Sequence, residues 1–115
     1  MMWMKLQLNA DLPEGTLVTH DQNNIWRKAT SSDAGILGAV SEVESVDNVL
    51  WGRVLISGTT TVRAGANIPP EGGFFMSDDE GRAIISTSPT AGIIGPVPNG
   101  GAAPTLDDLV LVHLR

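Results

Sequence analysis

The segment MWMKLQL, residues 2–8, places apolar side chains at Met2, Met4, Leu6 and Leu8, alternating with Trp3, Lys5 and Gln7. That two-residue period is the mark of a strand with one buried face. It leaves Trp3 on the opposite face, to pack on a partner or on another part of the chain. GTLVTH (15–20) and IWRKAT (25–30) are short strand candidates separated by the turn-rich DQNN. GILGAVSEV (35–43) is apolar with internal glycines, which predicts a bent or bulged strand. DNVLWGRVLISG (47–58) predicts a further strand, and TTTVRAG (59–65), rich in β-branched residues, another after it. GGFFMS, the acidic turn DDEG and RAIIST follow as a hairpin over 72–87; AGIIGPVP (91–98) echoes GILGAV, and LVLVHL (109–114) closes the chain as a strand. The one helix-like window, SSDAGILGAVSEVESV (31–46), carries two glycines, each costing about 1 kcal/mol in a helix interior. It is therefore assigned to strand. Thr105 is a candidate N-cap for a helical turn at TLDD, against which the unbroken apolar run after it argues for strand.

The pattern also repeats. Ala10, Leu12 and Pro13 align with Ala66, Ile68 and Pro69; after an inserted Pro70, Glu14, Gly15, Leu17, Val18 and Asp21 align with Glu71, Gly72, Phe74, Phe75 and Asp78. ILGAV (36–40) falls opposite IIGPV (93–97), and GRVLI (52–56) opposite LVLVH (109–113), at an offset of 56 or 57 residues. In each half a Pro ends a strand because it lacks an N–H for the ladder, and a following Gly reverses the chain. The expectation is an all-β fold with little helix. It is a compact barrel-like or sandwich-like single domain, with an N-terminal strand (1–9) and two similar β modules (10–58 and 59–115) sharing one core.

Composition narrows the function. Only 17% of the residues are charged, against 13 Gly and 7 Pro. Such a charge-poor surface suits a protein partly covered by a neighbour. The net charge of −6 weighs against gripping phosphate backbones, so no direct nucleic-acid partner is expected. With no cysteine, disulfides and thiolate chemistry are excluded. No apolar run approaches a membrane span, and the first residues lack the pattern of a signal peptide.

Chemistry-bearing motifs are few. His20 beside Asp21, and His113, are the histidines, and no serine sits in a nucleophile-elbow context; no enzyme activity is expected. SDDEG (77–81) gathers three carboxylates without the spaced ladder of a calcium loop, so it is taken as a hairpin turn rather than a metal site. No cofactor-binding motif is present. Arg27 and Lys28 of WRK, with Arg53, Arg63, Arg82 and Arg115, are scattered and are assigned mainly to solvated strand edges, with one or two free to pair with a partner's carboxylates. Trp3, Trp26 and Trp51 are three of only five aromatic residues; each is either a core filler or an interface anchor.

Taken over nearly the whole chain, this arrangement resembles the small capsid cement, or decoration, proteins of tailed bacteriophages. The match rests on Gly15, Leu17, Val18 and Asp21, then Ile36, Gly38 and Val40, then Arg53, Val54 and Ile56. The Gly expected after Asp21 is missing from the first copy, where Asn23 and Asn24 stand in for it, since Asn tolerates the left-handed region; the second copy keeps Gly81. The loop at 98–105 also departs from the simplest members. The resemblance implies a structural virion protein, made in the host bacterial cytoplasm and commonly a homotrimer. It would bind the outer capsid surface where major capsid subunits meet and clamp them against internal pressure. The candidate capsid or subunit contacts are Met2, Trp3, Met4, Leu6, Trp26 and Trp51. Two other readings stay open: a β domain of a phage fibre or spike, and a small ligand-binding β-barrel.

Overall fold

A computed structural model describes residues 2–20, 24–33, 38–66, 68, 71–86, 92–94 and 106–114. Nine strands make up its regular structure: β1 (Met2–Leu8), β2 (Leu17–His20), β3 (Trp26–Lys28), β4 (Gly38–Val46), β5 (Val49–Arg63), β6 (Gly73–Ser77), β7 (Ala83–Ile85), β8 (Gly92–Ile94) and β9 (Leu109–Leu114). The all-β expectation holds. Thr105, Asp21, Asn23, Ile36 and Arg115 lie outside the described residues, as does the loop at 98–105.

The first five strands close on themselves in the order β1-β3-β2-β4-β5, with β5 returning to β1. All pairings are antiparallel except β1 with β3, a short parallel contact at Leu8 opposite Trp26. Closure removes sheet edges where it is complete. Leu8, Val18, Trp26, Val40 and Val54 fill this barrel, with Leu6, Leu12, Val43, Leu50 and Ile56 packed around them. Gly52 is needed here, because a Cβ at that position would stand 2.7 Å from the Leu8 side chain.

The separate strands expected at 47–58 and 59–65 are one. β5 runs unbroken for 15 residues. Its first part pairs with β1 and β4, and Gly58–Arg63 pair with β9. Gly58, at φ +120°, bends the strand at a value L side chains rarely adopt, so a glycine that looked like a break keeps the ladder continuous. From β5 the second sheet proceeds β9-β8-β6-β7, and Ala64 makes a parallel bridge to Ala83, bringing its two ends together. The hairpin joining β4 to β5 turns at Asp47 and Asn48, both with positive φ (52° and 65°), as a two-residue primed turn requires.

The core expected to be shared by the two halves is present, and a second cluster lies beside it. That second cluster fills the first barrel, while the larger cluster is common to both halves. That larger cluster takes Leu17, Ala29, Ala39 and Leu55 from the first half and packs them on Val62, Ile68, Phe75, Ile94, Val110, Val112 and Leu114, among others. Two turns lock the halves together. Gly15, at φ +83°, accepts the Arg63 N–H at 2.9 Å, and its own N–H donates to the Val40 carbonyl at 2.8 Å. Gly81, at φ +70°, accepts the Leu17 N–H at 2.8 Å.

The bulge predicted near 35–43 is present. Val40 pairs with Val54 and Glu42 with Arg53, leaving Ser41 as the extra residue on β4. The bulge resets the alternation, so that Val43 packs toward the barrel cluster while Glu42 and Glu44 are exposed.

Candidate functional site

β1, the first part of β5 and the end of β4 run on past the barrel as a three-stranded blade. Among the described residues, β4 beyond Val40 is paired only with β5, and β1 is paired on its outer edge only at Leu8. Within those residues, the edges at residues 2–7 and beyond Val40 present backbone groups without a ladder partner.

β1 keeps the expected polarity at Leu6 and Leu8, which join the barrel cluster, but Met2 and Met4 are not covered. Of Met2, Met4, Leu6 and Leu8, only Leu8 is buried; Leu6 is half-buried, Met2 is 54% exposed and Met4 45%. Trp3, on the opposite face, packs against the larger core cluster, the second of the two alternatives the sequence left open. From Trp3 to Leu8 the ladder with β5 is in continuous register; it shifts by one residue between Met2 and Trp3, so the shift bears on Met2 alone.

Strand register fixes two rows of side chains across the blade. Lys5, Arg53 and Glu42 are mutual neighbours in one row, and Gln7, Trp51 and Glu44 in the next. The Arg53 guanidinium lies over the Trp3 ring, 4.4 Å from its centroid, a cation–π contact. Lys5 reaches across β5 to an ion pair with Glu44. Trp3, Lys5, Glu42, Glu44, Trp51 and Arg53, with Met4 and Val43, line an open groove of about 330 Å³. Trp26 is not part of it: it is buried in the barrel cluster, with His20 edge-on to its ring at 5.3 Å. The groove thus unites Trp3, Met4 and Trp51 from the sequence candidates and adds Lys5, Glu42, Val43, Glu44 and Arg53. The sequence signal for the additions was the alternation in EVE (42–44) and W-x-R (51–53), which puts polar and aromatic residues on one strand face.

The other motifs have structural work. In SDDEG, Asp78 Oδ1 accepts the N–H groups of Glu80 (2.8 Å) and Arg82 (3.0 Å), and Asp78 Oδ2 accepts from Arg82 Nε at 2.9 Å. That contact raises the Arg82 pKa above its ordinary value. Asp79 accepts the Ser31 hydroxyl at 2.6 Å and the Ser31 N–H at 3.1 Å, and both lower its pKa. Glu80 pairs with Lys28 at 2.8 Å. The three carboxylates thus face three different partners, the arrangement of a turn docked on the neighbouring half. No cluster of three metal-ligating side chains occurs among the described residues. His113 Nδ1 is 3.4 Å from the Thr59 hydroxyl on the β5–β9 surface.

A second cleft, of about 640 Å³, is lined in part by Asp11, Thr16, Arg27, Lys28, Arg63 and Glu80. Its cations are already engaged: Arg27 with Asp33 at 2.9 Å, Lys28 with Glu80, and Arg63 with Asp107 at 3.3 Å. The Arg27 guanidinium, aided by the Thr30 N–H and hydroxyl and opposed by burial, holds the Asp33 carboxyl at about 2.

No protein-family model matches the chain, and no curated protein or solved structure does. The fold defines an all-β protein with a closed five-stranded barrel.

Proposed function

We propose that this is a structural rather than catalytic protein, which binds the outer surface of a phage capsid and stabilises contacts between major capsid subunits. The observation that carries the reading is the outer edge of β1, which pairs with no other described residue before Leu8 and is flanked by the exposed Met2 and Met4. An edge of this kind accepts a strand from another chain: backbone hydrogen bonds supply affinity, and alternate side chains supply specificity. The methionines offer adaptable apolar contact to such a strand. Self-association into a trimer is assigned to β9, where Leu109 and Leu111 are exposed on the face opposite buried Val110 and Val112. Three linked sites would raise capsid avidity through effective concentration.

The test is co-sedimentation with empty capsids, paired with light scattering of the free protein. Pelleting with capsids is expected, and its loss in a Met2→Glu/Met4→Glu double variant; a protein that never pellets, or a double variant that pellets equally, overturns the assignment.

We also propose that the halves are copies of one unit. In support, β1 meets β3 in parallel as the end of β5 meets β7; β2 joins β3 and β4 as β6 joins β7 and β8; and β4–β5 corresponds to β8–β9. Positive φ also falls at Gly15 and Gly72, and at Asn24 and Gly81, aligned positions of the two halves. A crystal structure in which the superposed halves run their strands in different orders refutes the copying.

A further inference from the structure

We propose that the outer face of the blade, around Trp51, is a binding site for a neutral oligosaccharide. This goes beyond the capsid assignment and does not rest on it, because it uses the face of the blade and not the β1 edge.

Charge comes first. Lys5 and Arg53 are matched in number by Glu42 and Glu44, so the groove carries no net charge and selects neither an anion nor a cation by its field. It still presents strong hydrogen-bonding groups on both sides of an indole. Lys5 and Arg53 only donate, and ionised Glu42 and Glu44 only accept. The Lys5–Glu44 pair is well exposed, with about 60% and 56% of the two side chains open to solvent; such a pair holds its partners weakly and can open to admit hydroxyls. Arg53 has the Trp3 ring beneath it, and neither Arg53 nor Glu42 has an ion-pair partner among the described residues.

A ligand for this surface therefore needs an apolar face to stack on Trp51, a perimeter that both donates and accepts, and no charge. A pyranose ring has all three: its C–H face stacks on an aromatic ring, and each hydroxyl is donor and acceptor at once. Neighbouring hydroxyls can bridge the Arg53–Glu42 row. The volume, about 330 Å³, lies at the small end of ligand sites and suits one or two rings of a longer chain. The open ends of the groove let such a chain run past. The platform is rigid because its polar side chains stand on paired strands, which suits recognition by fixed geometry.

The test is saturation-transfer NMR on the full chain with maltotriose, cellotriose and triacetylchitotriose as probes. Saturation of ring protons is expected for at least one, with Trp51→Ala weakening binding by about tenfold or more and Trp51→Phe staying within about threefold. Glu42→Gln, at an exposed position with no ion-pair partner to lose among the described residues, provides a variant that keeps the fold intact, and is expected to weaken binding severalfold. If none of the three sugars is saturated, or if Glu42→Gln and Trp51→Ala bind as the parent does, the proposal is wrong. Capsid pelleting that depends on Trp51 while no sugar binds also overturns it, and assigns the groove to protein contact. Met4 lines the groove, so the separating variant is Met2→Glu alone: loss of pelleting there with sugar binding retained leaves this site standing, and the two proposals fail separately.

Discussion

Gly81 shows how much one residue can hold. Its φ of +70° is left-handed, and a Cβ there would lie 2.7 Å from Thr16 Cγ2 and 3.0 Å from the Leu17 carbonyl, between the two halves. Gly81→Ala meets both backbone strain and a clash with main chain that cannot swing aside. A loss of about 1–3 kcal/mol is expected, read by chemical denaturation. Asn24, at φ +58°, holds the aligned position in the first half; Asn24→Gly is expected to leave stability within about 0.5 kcal/mol. That Asn24 can take a left-handed φ was legible beforehand, because Asn is among the few residues that tolerate this region. Asp33 adds a pH dependence. Arg27 holds its folded pKa at about 2, below the ordinary 3.8. A carboxyl depressed by folding contributes stability that is complete above its unfolded pKa and is lost as pH falls through the folded one. The stability advantage of the parent over Asp33→Asn should therefore shrink between pH 5 and pH 2 in denaturant titrations. An advantage independent of pH across that window would mean that the ion pair with Arg27 contributes nothing.

At the scale of elements, the strands themselves were legible but their partners were not. Short apolar runs bounded by turn residues located β2, β4 and β9, and β4's internal glycines announced its bulge. The alternation in β1 assigned Leu6 and Leu8 to the face that packs in the barrel cluster, but it did not foresee that Met2 and Met4 stay exposed. The break read at Ser57–Gly58 failed. A glycine in a strand can mark an end or a bend, and only the pairing of Gly58 with Leu114 decides between them. The groove was partly legible: Trp3 and Trp51 were picked out as aromatics, but Arg53 was taken for a scattered cation. Its place over Trp3 depends on the register of β1 against β5, which no local pattern encodes. That register makes a prediction for self-association. Leu111 is 59% exposed and pairs with Thr61 across the β5–β9 ladder. Leu111→Asp should leave the fold intact and shift the mass in light scattering toward the monomer; an unchanged mass would remove β9 from the subunit contact.

For the whole molecule, the question is whether the two halves behave as two bodies. The larger core decides against it. Leu17, Ala29, Ala39 and Leu55 come from the first barrel, yet they pack with Phe75, Val62 and Val112 rather than with the cluster inside that barrel. β5 belongs to both sheets, so neither half can lose its ladder without unpairing the other. The docked turns at Gly15 and Gly81 close the contact from both sides. A cut at Gly58 would strip each half of paired strand and expose the apolar faces that meet between them, so fragments 1–57 and 58–115 are expected to remain unfolded apart. The intact chain should unfold in one transition. Phe75 is fully buried in the common cluster, and Phe75→Ala should cost about 3–5 kcal/mol. The informative observation is where that loss appears. If tryptophan fluorescence, which includes Trp26 inside the first barrel, shifts its midpoint together with circular dichroism from the whole sheet, the halves fold as one cooperative unit. If Trp26 keeps the parent midpoint while the second sheet melts early, the shared core does not couple them.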